Sequence, residues 1–158
     1  MKTHNENGRT IPVWGEYDVI VCGGGPTGFI ASVAAARTGA RVVLIERYGI
    51  LGGTATAALM VEFGSMHDGE KRIVGGITHE FIHRLARYGG ADFQNPFDHS
   101  MTFDPETMIE ICRQMVVEAG IDVLFHSWIA DAIVRDNRVE GVILENKSGR
   151  GAISGKTT

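Results

Sequence analysis

The chain has 158 residues, with 15 Lys+Arg against 19 Asp+Glu, and a net charge of −4 gives no electrostatic reason to expect nucleic acid or anionic membrane as partner. Hydrophobic residues at 44% and charged residues at 22% suit one globular domain, which at this length buries about two thirds of its unfolded surface. No apolar run nears the ~20 residues that span a bilayer, residues 1–7 lack a signal-peptide core, and the distant pair Cys22 and Cys112 supports neither a disulfide framework nor a Cys-rich metal site.

Residues 1–15 read as a polar lead-in with Gly8 and Pro12, and 16–158 as the domain. Residues 17–22 are a β-branched run, apolar on both faces, that stops at Gly23-Gly24-Gly25; they predict a buried parallel strand. Residues 27–38 carry Phe29, Ile30, Val33 and Ala34 at helical spacing, with Gly39 as the stop. Residues 41–46 predict a second buried strand. Strand, glycine turn, helix and strand make one βαβ unit with a right-handed crossover.

Residues 47–60 are rich in Gly and Ala and predict a loop running into a short helix, followed by a helix over about 77–88 and a loop over 92–102. Asp104-Pro105-Glu106 opens the next helix, with Asp as N-cap, Pro at the first helical position and Glu in the first turn. Met108, Ile111, Cys112, Met115 and Val116 form its apolar stripe, and Gly120 ends it. Residues 121–125 predict a third parallel strand. Residues 128–134, 138–144 and 150–154 then alternate, with turns at Asp136-Asn137 and Ser148-Gly149, as in an antiparallel meander. Residues 152–158 look like the start of a further strand with nothing after it to close the sheet. The fold class is therefore α/β: a Rossmann-like parallel sheet with a βαβ dinucleotide-binding unit plus an antiparallel β-meander, expected to be incomplete at the C-terminus. Cys22 and Cys112 are expected to be small core residues.

Gly23-x-Gly25-x-x-Gly28 sits between a strand and a helix, the context in which such glycines make a tight turn and let a pyrophosphate approach the backbone. Amides around Pro26, Thr27 and Gly28 would face the phosphates with the positive end of the helix dipole. Glu46 ends the second strand 18 residues after Gly28, placed to accept from ribose hydroxyls, and it disfavours a 2′-phosphate, with Arg47 beside it weakening that preference. FAD and NAD share this fingerprint. The following Gly52-Gly53-Thr54-Ala55-Thr56 adds a second close backbone approach, and the hydroxyls of Thr54 and Thr56 suit contact with a long cofactor; the alternative is a helix entry capped by Thr54.

His79-Glu80-Phe81-Ile82-His83 matches HExxH, which on a helix sets two imidazoles one turn apart with a carboxylate able to activate zinc-bound water. No third ligand stands at a recognisable spacing, although His99 and Glu106 are available. An amphipathic helix with Phe81, Ile82 and Leu85 inward, and His79, Glu80, His83 and Arg84 at its margin, explains the same residues, so no metal is expected.

The segments Ile11-Pro12-Val13-Trp14-Gly15-Glu16-Tyr17-Asp18-Val19, Gly23 to Gly28, Ile45-Glu46-Arg47-Tyr48-Gly49-Ile50-Leu51-Gly52-Gly53 and Phe103-Asp104-Pro105-Glu106 together resemble one family. It is the FAD-dependent oxidoreductases of glutathione-reductase-like topology, including flavoproteins related to the heterodisulfide reductase A subunit. Residues 138–143 and 146–150 fit it too. The resemblance implies FAD, with its pyrophosphate on Gly23, Gly25 and Gly28, its ribose on Glu46, and its adenine passing Trp128 and Ile129. It also implies that relatives continue past Thr158 into a strand bearing a Thr-Gly-Asp-Gly-like turn, so the chain is expected to be an N-terminal portion without its substrate domain and inactive alone. A Cys cluster for an iron–sulfur centre is absent from the sequence.

The expected function is thus the FAD-binding portion of a cytoplasmic flavin-dependent oxidoreductase, exchanging hydride or electrons with an unidentified small-molecule substrate or electron-transfer partner. No nucleic-acid or membrane partner is expected, and no residue is assigned as catalytic. The alternatives are an NAD-binding Rossmann module and an HExxH zinc hydrolase.

Overall fold

Four consecutive apolar side chains, Val42 to Ile45, are all buried, as a strand covered on both faces requires. In a computed structural model, which describes residues 8, 10–64, 66, 68, 70–91 and 100–158, this segment is the inner strand β2 (Val42–Ile45). Before it come β1 (Val13–Cys22) and α1 (Pro26–Arg37). A single 3-10 turn at Gly53–Ala55, β3 (Glu62–Gly64), α2 (Gly76–Arg87), β4 (Ser100–Thr102) and α3 (Pro105–Glu118) follow. The chain then runs through β5 (Asp122–Leu124), β6 (Trp128–Arg135), β7 (Arg138–Asn146) and β8 (Gly149–Thr157).

The six-stranded sheet has the order β5-β2-β1-β8-β7-β6, and β3 pairs with β4 in a separate antiparallel ribbon. From β5 to β8 the pairings are parallel; β8–β7 and β7–β6 are antiparallel. Helices cover one face. There Val42 and Leu44 of β2 meet Phe29 and Val33 of α1, Phe81 and Leu85 of α2, and Met108, Ile111 and Met115 of α3. On the other face Ile20, Val43 and Ile45 pack with Val142, Leu144 and Ile153 from the meander. The period-2 alternation of a strand thus divides β2 between two cores.

Both well-signalled helices form as the sequence indicates. Asp104 accepts from the Thr107 amide, with Pro105 at the first helical position. Gly39 and Gly120 follow α1 and α3 with φ of +88° and +68°. On the outer surface Glu80 of α2 bridges Arg37 of α1 (2.7 Å) and Arg84 (2.8 Å), and Arg84 reaches Glu118 of α3 (2.7 Å).

Three boundaries differ from the sequence reading. β1 starts at Val13 rather than at residue 17, because the first half of the strand pairs with β8 and the Ala152 amide donates to Pro12. Residues 100–102 are β4 rather than loop, paired with β3; the rest of that expected loop, residues 92–99, lies outside the described residues. Residues 152–157 do not begin a new strand. They continue β8, which pairs with β7 as far as Ser154 and runs parallel to β1 from Ala152 onward, with Tyr17 opposite Gly155 and Val19 opposite Thr157. Among the described residues no helix is long and apolar enough to cross a membrane.

Candidate functional site

The turn between β1 and α1 is held by its own backbone. Gly23, at φ +105°, donates its amide to the Ile45 carbonyl (2.8 Å), a conformation that glycine adopts without strain. A Cβ on Gly28 would overlap the Gly23 carbonyl oxygen, so the helix starts against the strand only with glycine there. Gly25 is different: its backbone is extended (φ −67°, ψ 179°), and a Cβ would meet nothing nearer than the Gly53 Cα at 4.0 Å. What Gly25 leaves clear is external space. No side chain caps α1, so its first amides, those of Thr27 and Gly28, have no capping side-chain acceptor.

Glu46 is 5% exposed at the end of β2. Its carboxylate accepts from the Gly24 amide (2.7 Å) through Oε2 and from the Tyr48 amide (2.8 Å) through Oε1. Each oxygen retains a further lone pair, so the group fixes the glycine turn and keeps acceptor capacity. The side chain lines two cavities. One, of about 250 Å³, lies between Cys22, Gly23, Arg47, Ser127, Trp128 and Ile129. The other, of about 330 Å³, lies between Gly25, Pro26, Arg47, Tyr48, Gly53 and Thr54. Arg47 borders both, with its guanidinium 4.6 Å from the Tyr48 ring centre and 5.6 Å from that of Trp128.

The second glycine pair closes onto the first turn. The Gly52 amide donates to Gly24 (2.8 Å), and a Cβ on Gly53 would come within 2.8 Å of the Gly25 Cα. Thr54 is exposed on the wall of the larger cavity. Thr56 is buried, with its hydroxyl donating to the Leu51 carbonyl (2.7 Å), so it braces the loop from inside. Thr27 is exposed and lines a separate cavity with Ile30 and Ala31, whereas Pro26 borders both that cavity and the larger one beside Glu46.

The sequence reading missed how the turn between β5 and β6 completes the site. The Ser127 amide donates to the Glu46 carbonyl (3.0 Å), its hydroxyl donates to Phe125 (3.0 Å), and Asn146 donates to that hydroxyl (3.1 Å). This chain fixes the wall that carries Trp128. Cys22 was expected in the core; it is exposed at the end of β1 and lines the smaller cavity, where partial burial still pushes its thiol up. Cys112 is buried on α3, and burial pushes its thiol up to about 12.

The HExxH residues do lie together on α2, with the Nε2 atoms of His79 and His83 2.8 Å apart. Their surroundings are cationic, because the Arg72 guanidinium lies against His79; desolvation first, then His83 and Arg72, hold the His79 pKa below its ordinary value. Glu80 is engaged by Arg37 and Arg84 instead of facing a metal position, and those partners lower its pKa. No group of three or more metal-ligating side chains occurs among the described residues.

Comparison with known proteins agrees with this geometry. The family described as FAD dependent oxidoreductase matches residues 18–158. A digeranylgeranylglycerophospholipid reductase 2 from Methanopyrus kandleri is 28% identical over 143 residues, covering 85% of this chain and 34% of that protein. Dihydrolipoyl dehydrogenase from Trypanosoma brucei brucei is 46% identical over 46 residues, 29% of this chain and 10% of that protein. The crystal structure of Thermovibrio ammonificans THI4 superposes with a TM-score of 0.65 at 23% identity, covering 89% of this chain and 55% of that one. The chain thus spans between a tenth and about half of these three proteins. With residues 18–158 accounted for in this way, the chain belongs to the FAD dependent oxidoreductase family.

Proposed function

We propose that the two cavities joined at Glu46 form one groove for FAD, and that the chain serves as the cofactor-holding part of a flavin oxidoreductase. The observation that carries this reading is the space over Gly25, bounded by the uncapped start of α1, Gly53 and Thr54. A pyrophosphate placed there meets the Thr27 and Gly28 amides and the positive end of a 12-residue helix. Glu46 then offers its remaining lone pairs to ribose hydroxyls, while Arg47 and Trp128 wall the smaller cavity for the adenine end. The donor set suits a cofactor with a free 2′-hydroxyl, since a phosphate beside the buried Glu46 carboxylate would be repelled. Thr56 takes no part in binding.

Bound FAD supplies hydride and electron transfer at its isoalloxazine ring. The residues of this chain bind and orient it, and no side chain among the described residues is assigned to proton transfer. We infer a cytoplasmic protein acting on a small molecule or an electron-transfer partner, because neither net charge nor helix composition favours nucleic acid or a membrane. The test is Glu46→Gln. It removes a charged acceptor and sets an amide NH₂ toward a backbone donor, so FAD affinity should fall by about 1–3 kcal/mol, measured by flavin fluorescence titration. Unchanged affinity in the folded variant would place the cofactor elsewhere.

A further inference from the structure

We propose that the slot between α1, α2 and β3 is a binding site for a neutral hydrocarbon chain. The slot has a volume of about 530 Å³, within the range of small-molecule sites. Its walls are Ile30, Ala31 and Ala34 from α1, Phe63 from β3, and Phe81 and Ile82 from α2. Among the described residues no charged side chain lines it, and the hydroxyls of Thr27 and Thr78 are the only polar side-chain groups they contribute. A charged ligand would lose its hydration there without replacement, whereas an apolar one removes surface from water on both sides.

The shape selects a chain. The lining positions of α1 run from Thr27 to Ala34, two helical turns or about 10 Å, so the slot is longer than a single ring. Ala31 and Ala34, both exposed, keep the α1 side of the slot free of bulk, and Phe63 and Phe81 add aromatic surface to its lining. A second copy of the protein would need a broad patch of about 800 Å² per partner, whereas this surface is concave and two turns long. At one end Pro26 borders both the slot and the cavity beside Glu46, so a polar end of the ligand would emerge at the start of α1. Ala31 and Ala34 belong to no part of the proposed FAD groove, so the slot can be tested without cofactor.

The probe is N-phenyl-1-naphthylamine, whose fluorescence rises on entering an apolar site, titrated into the chain and then competed with 1-dodecanol. Saturable one-site binding reversed by dodecanol is expected. Ala34→Phe fills the slot and should weaken probe binding at least about tenfold without lowering the melting temperature, since it adds apolar contact in open space. Ala31→Leu is the milder filling variant should Ala34→Phe fail to fold, and the distant hairpin variant Val139→Ser should bind as the parent does. The proposal is overturned by non-saturable binding, by failure of dodecanol to compete, or by equal affinity in a folded filling variant. Sedimentation showing a dimer that Ala34→Phe dissociates would also overturn it, by giving the slot to a second copy.

Discussion

Two glycines of one motif do different work, and substitution separates them. A Cβ at Gly28 collides with the Gly23 carbonyl, so Gly28→Ala should disrupt the turn and lower stability. A side chain at Gly25 projects into the cavity from an ordinary extended backbone, so Gly25→Val should leave circular dichroism and melting near the parent while abolishing FAD binding. Equal loss of fold in both would remove that distinction. The glycine spacing was readable from sequence, but the sign of φ at Gly25 was not, because glycine populates either sign about equally. The cysteines make a second residue-scale test. Burial holds Cys112 up near 12, so a thiol reagent at about pH 8 should titrate Cys22 in the native chain and both thiols only after unfolding. Because the Cys22 thiol is also pushed up, its rate should climb as pH rises toward 9 and beyond.

At the scale of elements, α3 is the one whose sequence signals all agree, and its cap gives a pH test. Hydrogen bonds from Thr107 hold the Asp104 carboxyl below its ordinary range. Its folded pKa is thus lower than its unfolded one, so the contribution to stability is present above about pH 4 and fades as pH falls through the folded value. Asp104→Ala should lower the melting temperature at neutral pH, and the gap from the parent should narrow near pH 3. The Glu80 network is expected to contribute little to stability. These groups are partly exposed, so Glu80→Gln should cost only a few tenths of a kcal/mol by thermal melting and should not alter metal content. α1, β2 and α3 were legible because their own residues carry period and stop signals. The first half of β1 and the short β3 and β4 were not, because Gly15, Pro12 and three-residue runs carry little local preference, and pairing partners far along the chain decide them. β8 shows the same effect. Its residues read as two strands because β7 pairs only with residues 149–154 and β1 only with 152–157.

For the whole molecule, the parallel strands β1 and β2 are held between helices on one face and residues of the meander on the other, and Phe29 lies in the helix-side core. It is fully buried, edge-on to Phe81 at 5.3 Å between ring centres. Phe29→Ala should cost about 3–5 kcal/mol in urea unfolding, a large share of the ~5–15 kcal/mol typical of a domain. The candidate site emerges at the same scale. Gly23, Glu46 and Thr54 could be picked from their spacing, and Trp128 only through the family resemblance, yet the proposed groove also draws on Ser127 and Asn146, which lie more than 70 residues further on and carry no motif of their own. Only the order β5-β2-β1 brings that wall beside Glu46.

That convergence can be tested by titrating FAD into the chain while following both flavin fluorescence and the alkylation rate of Cys22, the thiol on the wall of the smaller cavity. Saturation at one FAD per chain, with Cys22 protected in proportion to occupancy and both effects lost in folded Gly25→Val, is the predicted result. A folded parent chain that takes up FAD with Cys22 still freely alkylated, or that binds equally well with valine at position 25, would contradict the assignment of this groove.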